Sequence, residues 1–225
     1  MVESPVVAID GPAGSGKSST AKAVAQRLGL PHVDSGALYR AVTLAGLDAG
    51  GTLSGQRLVA LARALPVRLV LADDGFRPEV AGADVSRAIR EARVNRRVSE
   101  VAAMPEVRDW VNALLREAVQ RHPRGAVLDG RDIGTVVFPD AAVKVFLTAA
   151  PAERARRRLV QEGAAPAGPA LDEATRELER RDAADRSRAV APLRQARDAV
   201  VLDTTALSFD EQVERIVRLA RKTFA

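Results

Sequence analysis

The 225-residue sequence predicts a three-layer α/β fold: a central parallel sheet of five strands, an inserted antiparallel β subdomain and a helical lid. Three observations carry this reading. Short apolar runs near residues 6, 32, 127, 144 and 200 alternate with segments of helical apolar period. The first run passes through a glycine-rich turn directly into a helix. The alternation is broken twice, by a hairpin-like stretch within 66–85 and by a charged helical hairpin within 151–188.

Val6 to Asp10 reads as a buried strand, and Gly11-Pro12-Ala13-Gly14-Ser15-Gly16-Lys17-Ser18-Ser19 follows it. Its first eight residues fit G-x-x-x-x-G-K-[ST], and the helical period continues to Leu28. Glycines there let successive backbone N–H groups converge at the positive end of a helix dipole. Lys17 supplies a point charge for β- and γ-phosphates, and the Ser18 hydroxyl suits Mg²⁺. The stretch predicts a nucleoside triphosphate site.

Pro31 to Asp34 predicts a second strand, and Ser35 to about Asp48 a helix. Asp34, Tyr39 and Arg40 fall at this strand-to-helix junction, where α/β folds bind ligands. A capped helix with a solvated arginine is the alternative. His32 reads as packing. Residues 48–52 form a loop and Gln56 to Leu65 a short helix.

Pro66 to Ala72 alternates like a strand, Asp73-Asp74-Gly75 is a turn, and Phe76 to Val80 returns, with a third short strand within Gly82 to Val85. Arg87 to Ala103 reads as one basic helix whose arginines form a solvated face, and Pro105 opens a further helix to about Arg121.

A buried strand then ends in Asp129-Gly130-Arg131-Asp132, bringing two carboxylates and a guanidinium to the sheet end where the first loop lies. Carboxylates there can hold Mg²⁺ through water while arginine clamps an anion; an internal ion pair in a polar turn is the alternative. After the strand Val143 to Leu147, Pro151 begins a basic helix carrying Arg154, Arg157 and Arg158. Residues 163–169 read as a mobile tip, and Leu171 to Arg188 as a second helix with Arg181, Asp185 and Arg188 on one face. Such a hairpin suits a phosphate-covering lid. Val200 to Asp203 is the last strand, and Ser208 with Glu211 forms a capping box on the last helix.

Composition excludes several classes. The chain has no cysteine, hence no disulfide or thiolate site, and no apolar run near the length a bilayer requires. It lacks a leader's basic start and apolar core, so a cytoplasmic location is expected. Net charge is +5, and only four of 34 basic residues are lysine (Lys17, Lys22, Lys144, Lys222). With arginine dispersed among acids and 3% aromatics, anionic small molecules explain the charge as well as a polyanion does, and a genome-wide arginine bias is the alternative.

Together these segments resemble bacterial cytidylate kinases, P-loop nucleoside monophosphate kinases, over essentially the whole chain. The resemblance rests on Ile9 to Ser18, Asp34 to Arg40, Asp129 to Thr135, Arg181-Asp182 with Asp185 to Arg188, and Ala189 to Leu193. It implies direct transfer of the ATP γ-phosphoryl group to CMP or dCMP with Mg²⁺, in a monomer with no nucleic-acid or membrane partner. Core segments of about 1–63, 99–150 and 189–225, a monophosphate-binding insert of 64–98 and a lid of 151–188 follow. So do site roles. Lys17, Asp129, Arg131 and Arg181 would be catalytic. Ser35, Arg40 and Arg131 would hold the acceptor phosphate, Asp34 and Gly130 would also bind substrate, and Ser99, Arg108, Asp132 and Arg188 would read cytosine. Asp185 with Arg181 would take the ribose, Tyr39 would wall the pocket, and Arg157 is the lid residue assigned to ATP. Ser18 would ligate Mg²⁺ with water-mediated help from Asp34 or Asp129. Two rival readings are another acceptor (UMP, AMP or shikimate) and a nucleic-acid-stimulated P-loop NTPase.

Overall fold

The computed structural model describes residues 5–50, 53–73 and 75–224. Gly51 and Thr52 of the expected loop, and Asp74 of the expected turn, lie outside them.

The central sheet has five parallel strands in the order β2-β6-β1-β7-β8: β1 (Val6–Asp10), β2 (His32–Asp34), β6 (Ala126–Gly130), β7 (Val143–Thr148) and β8 (Val200–Asp203). Strand β1 sits in the middle and is buried along its length. Its alternation explains the three layers. Val6 and Ala8 join a core with α2 (Ser35–Asp48), α4 (Ala92–Val101) and α5 (Pro105–Gln120). Val7 and Ile9 join the opposite core, with α1 (Lys17–Leu28) and α8 (Phe209–Phe224).

Helix α3 (Gly55–Ala64) leads into an antiparallel sheet of β3 (Arg68–Ala72), β4 (Gly75–Val80) and β5 (Ala83–Asp84). This sheet docks beside β2 so closely that a Cβ on Gly75 would lie 2.6 Å from the His32 carbonyl oxygen. Helices α6 (Pro151–Gln161) and α7 (Gly168–Arg186) form the hairpin, with a small core of their own in Ala13, Ala155, Leu159, Ala174 and Leu178. Among the described residues no helix is long and apolar enough to cross a membrane.

The structure corrects two predicted helices. The segment from Arg87 to Ala103 is not continuous: a single turn at Ala88–Arg90 is separated from α4 by Glu91, which is extended at φ −59°, ψ 150°. Helix α7 starts earlier and stops sooner than predicted, because Gly168-Pro169 opens it and Ser187 ends it. Proline suits a first helical turn, where its missing N–H would have no partner anyway. Arg188 therefore lies beyond the helix and not on its face.

Candidate functional site

Sheet register assembles the site. Asp10 pairs with Gly130 and Ile9 with Asp129, so the glycine-rich loop and Asp129-Gly130-Arg131-Asp132 leave adjacent strands at the same end. The cleft there holds about 1000 Å³.

On one side, the loop wraps from β1 to α1. Gly11 passes against β7 with room for no side chain: a Cβ would lie 2.0 Å from the Leu147 carbonyl oxygen. Gly16 caps α1 at φ 84°, and no acidic residue occupies the first turn of the helix. Its N–H groups therefore face the cleft without a competing carboxylate. Lys17 is buried and donates to the Pro12 carbonyl at 2.6 Å and to Ser15 Oγ at 3.3 Å. Burial, with Arg131 adding like-charge repulsion, holds its amine well below the ordinary lysine range, with Asp129 and Asp10 acting in the other direction. A dianionic ligand would restore the balance.

The Ser18 hydroxyl donates to Asp129 Oδ2 at 2.6 Å, and His32 Nε2 lies 2.7 Å from Asp129 Oδ1. Burial alone would raise the Asp129 carboxyl, but His32, Ser18 and Lys17 together hold it below its usual value. His32 is raised in turn: the Asp129 bond and charge outweigh its burial. The expectation that His32 is mere packing is thus corrected. A hard-oxygen pair, Ser18 and Asp129, beside the glycine-rich loop fits Mg²⁺, which needs few protein ligands when phosphates and water supply the rest. Asp34 is otherwise engaged, since Oδ1 caps α2 through the Ala37 N–H at 3.2 Å and Oδ2 takes Arg90 at 2.7 Å.

The other side is a cage of arginines. Arg131 Nε donates to Asp185 Oδ2 at 2.9 Å, and Arg188 pairs with the other oxygen of the same carboxylate. Arg108, 2% exposed, pairs with Asp132, donates to the Ala102 carbonyl at 2.9 Å, and stacks 5.5 Å from the centre of the Tyr39 ring. Ser35 Oγ donates to the Asp129 carbonyl at 2.7 Å. A Cβ on Gly130 would lie 2.6 Å from that hydroxyl, so the strand end passes Ser35 with no room for a side chain. Burial, then repulsion from Arg90, Arg181 and Arg131, lowers Arg40 to about 10. Arg181 and Arg188 are lowered too, first by burial. Cations destabilised in this way favour an incoming phosphate.

Most of the predicted site residues meet in this one cleft. Ala13, Gly14, Gly16, Lys17, Ser18, Ser19 and Arg157 line its loop side, and Asp34, Ser35, Tyr39, Arg40, Ser99, Arg108, Asp129, Gly130, Arg131, Asp132, Arg181, Asp185 and Arg188 the other. Gly11, Pro12 and Ser15 are buried behind the loop and do not line it. Arg157 is tied to Thr204, Nη1 to Oγ1 at 3.0 Å and Nη2 to the carbonyl at 2.6 Å, and to Glu153. Arg154 does not reach the cleft. Two lining residues were read as solvated face from sequence, Arg90 and Arg96, and Asn95 between them was given no role. Their signal was the helix break at Glu91, which no glycine or proline marks. Leu207, Ser208, Phe209 and Gln212 also line the loop side, with nothing in their pattern to set them apart from an ordinary helix start.

Asp10 ties the two halves together. Its Oδ1 accepts from the Ile133 N–H and its Oδ2 from the Gly134 N–H, both at 2.8 Å, just past Asp132. Burial pushes its carboxyl up to about 6, against those two bonds and with Asp132 adding to the rise. A raised carboxyl favours the fold while protonated, so this contribution is present below about pH 4 and lost as pH rises through about 6. Relative to Asp10→Asn, which cannot titrate, wild-type stability should fall by about 2 kcal/mol between pH 4 and pH 7. Denaturant titrations of both proteins across that range test it.

A parallel sheet whose first strand feeds a glycine-rich loop and helix, facing an arginine cage across one cleft, defines the P-loop kinases as the class. The profile of the cytidylate kinase family matches residues 7–222, and the chain belongs to that family. It is 46% identical over 217 residues to the cytidylate kinase of Shouchella clausii, covering 96% of each chain. To that of Chlorobaculum tepidum it is 44% identical over 220 residues, covering 96% of this chain and 93% of the relative. A solved structure from Thermus thermophilus shares the fold with a TM-score of 0.51 at 20% identity, over 99% of both chains.

Proposed function

We propose that the protein transfers the γ-phosphoryl group of ATP to CMP and dCMP, giving ADP and CDP or dCDP. The observation that carries this is the buried Asp132–Arg108 pair, which lines the same cleft as Lys17. Cytosine offers one exocyclic amine donor beside ring acceptors, so a carboxylate next to a guanidinium matches its edge. Asp132 accepts from the amine, while Arg108, Arg188 and Ser99 serve the remaining polar atoms. Arg131, Arg40 and Ser35 hold the acceptor phosphate, with Asp34 and Gly130 shaping its berth. Asp185 with Arg181 meets the ribose hydroxyls, and Tyr39 walls the base.

Transfer is in line, from one phosphate to another, and requires no protein nucleophile. The acceptor oxygen is already anionic, so no general base is needed either. Lys17, Arg131 and Arg181 neutralise charge spreading over the transferring group, acting in a site largely removed from water. Ser18 directly, and Asp129 through water, would hold Mg²⁺, which when bound neutralises the phosphate oxygens. The helical hairpin, 151–188, covers the cleft and excludes water as a competing acceptor. Support comes from the family and from convergence of these side chains on one cavity.

Offering CMP, dCMP, UMP, AMP and GMP in turn with Mg·ATP tests the proposal by ADP formation. CMP and dCMP should exceed the others by at least about 10²-fold in kcat/KM, the size of one misread polar edge. Equal rates with UMP would discard the assignment of Asp132.

A further inference from the structure

Arg154 and Asp182 form an ion pair at the root of the helical hairpin, where neither touches the cleft. Arg154 lies in the first turn of α6 and Asp182 near the end of α7; they are 3% and 1% exposed. Arg154 Nη1 is 2.7 Å from Asp182 Oδ2. One residue of the glycine-rich loop, Ala13, is held between them by both of its backbone polar groups. The Ala13 N–H donates to Asp182 Oδ1 at 3.0 Å, and the Ala13 carbonyl accepts from Arg154 Nη1 at 2.6 Å. Arg154 Nε is anchored on the Ala149 carbonyl at 3.0 Å, so the guanidinium cannot swing. The Ala13 methyl packs among Ala155, Leu159, Ala174 and Leu178. A Cβ on Gly14 would lie 3.3 Å from Leu178 and 3.4 Å from Arg154.

Two buried charges are an expensive way to join two helices, since a well-packed apolar pair does so as well or better. An apolar pair cannot, however, satisfy both backbone polar groups of a buried residue. Ala13 immediately precedes the amides of Gly14 to Ser18, and the planes of the two peptides that flank it, the second of which carries the Gly14 N–H, set the course of the chain. We infer that Arg154 and Asp182 are positioning residues of the donor site: by fixing the two peptides that flank Ala13 they aim the loop amides at the triphosphate of the nucleotide. The inference rests on the proposed reading of that loop as the donor site. It makes triphosphate affinity a property of the root of the lid, and leaves acceptor affinity to the arginine cage.

Affinities for Mg·ATP and CMP, measured separately by calorimetry, test this in Asp182→Asn and Arg154→Lys. Asp182→Asn keeps an oxygen for the Ala13 N–H but loses the charge that holds Arg154. Its Kd for ATP should rise about tenfold, the size of one lost charge-assisted bond, with Kd for CMP within twofold of wild type. Arg154→Lys should retain more ATP affinity than Arg154→Met. A merely structural role would lower the melting temperature and weaken both ligands alike, or neither, and either result in a folded variant overturns the inference. Should Asp182→Asn fail to fold, the lysine–methionine comparison at Arg154 decides in the same way. Wild-type protein that binds CMP but not ATP would overturn the donor-site reading and this inference with it. Wild-type turnover combined with unaltered ATP binding in the variants overturns the inference alone.

Discussion

Lys17→Met is expected to lower kcat by about 10³-fold while leaving the melting temperature within a few degrees of wild type. The first half follows from where the amine sits. Lys17 belongs to the loop that faces the arginine cage, and its Nζ rests on the Pro12 carbonyl at 2.6 Å. It is thus held within the loop before any ligand arrives. A preorganised donor aimed at developing charge is worth about 10²–10³ in kcat, and more when the charge is a transferring phosphoryl group. The second half follows from the electrostatics. Burial and Arg131 disfavour the charged amine in the folded state, so Lys17 detracts from stability. Methionine removes that burden and keeps the aliphatic stem. Activity lost with stability kept, in a coupled assay beside thermal unfolding, is the expected pair of results. A kcat within tenfold of wild type would mean the phosphoryl group does not pass near Lys17.

Much of this site could be read from the chain because its signals are local. The Val6–Asp10 strand, the loop and the following helix are contiguous, and each has its own periodicity or motif. The same holds for Asp129 to Asp132, where a buried strand ends in charges. The residues to which the sequence assigned no role have partners far along the chain. His32 and Asp129 are 97 residues apart, and a single histidine in a three-residue strand carries no pattern that would reveal the contact. Asp182 lies 169 residues from Ala13, on a helix where charges recur every few positions. Nothing in that spacing shows that Asp182, like Asp185 beside it, is 1% exposed.

The break at Glu91 is of the same kind. Local sequence from Arg87 to Ala103 favours helix throughout, so its interruption has a tertiary cause. Arg90 reaches Asp34 at 2.7 Å, and Asn95 Nδ2 donates to the Arg90 carbonyl at 2.9 Å, closing the bend. Arg40 meanwhile donates to the Ile89 carbonyl at 3.3 Å and pairs with Asn95. The bend therefore turns what looked like a solvated arginine face toward the cleft. Helix propensity, worth tenths of a kcal/mol per residue, yields to several charge-assisted bonds.

Asp132→Ala should damage both the fold and acceptor selection, and Asp132→Asn should separate the two effects. Arg108 is 2% exposed, and among the described residues its guanidinium bonds, apart from Asp132, only the Ala102 carbonyl, with Nε unpartnered. Alanine at 132 strands a buried charge. That costs roughly 3–5 kcal/mol and, at this chain length, on the order of 10 °C in melting temperature. Asparagine keeps an oxygen for Arg108 but not the balancing charge, so part of the stability should return. Selection should not return with it. Arg108 occupies Oδ2 of Asp132, and Oδ1 has no hydrogen-bond partner among the described residues, which leaves an acceptor free for the cytosine amine. In the Asn variant one of those two positions becomes an NH₂ donor. If its oxygen stays with Arg108, the donor meets the cytosine amine and instead suits the carbonyl at the same position of uracil. The ratio of CMP to UMP kcat/KM should then fall by about 10²-fold in Asp132→Asn, at a melting temperature above that of Asp132→Ala. An unchanged ratio in that variant would assign base selection to Arg188 and Ser99, and would leave Asp132 as only the counter-ion that lets Arg108 be buried.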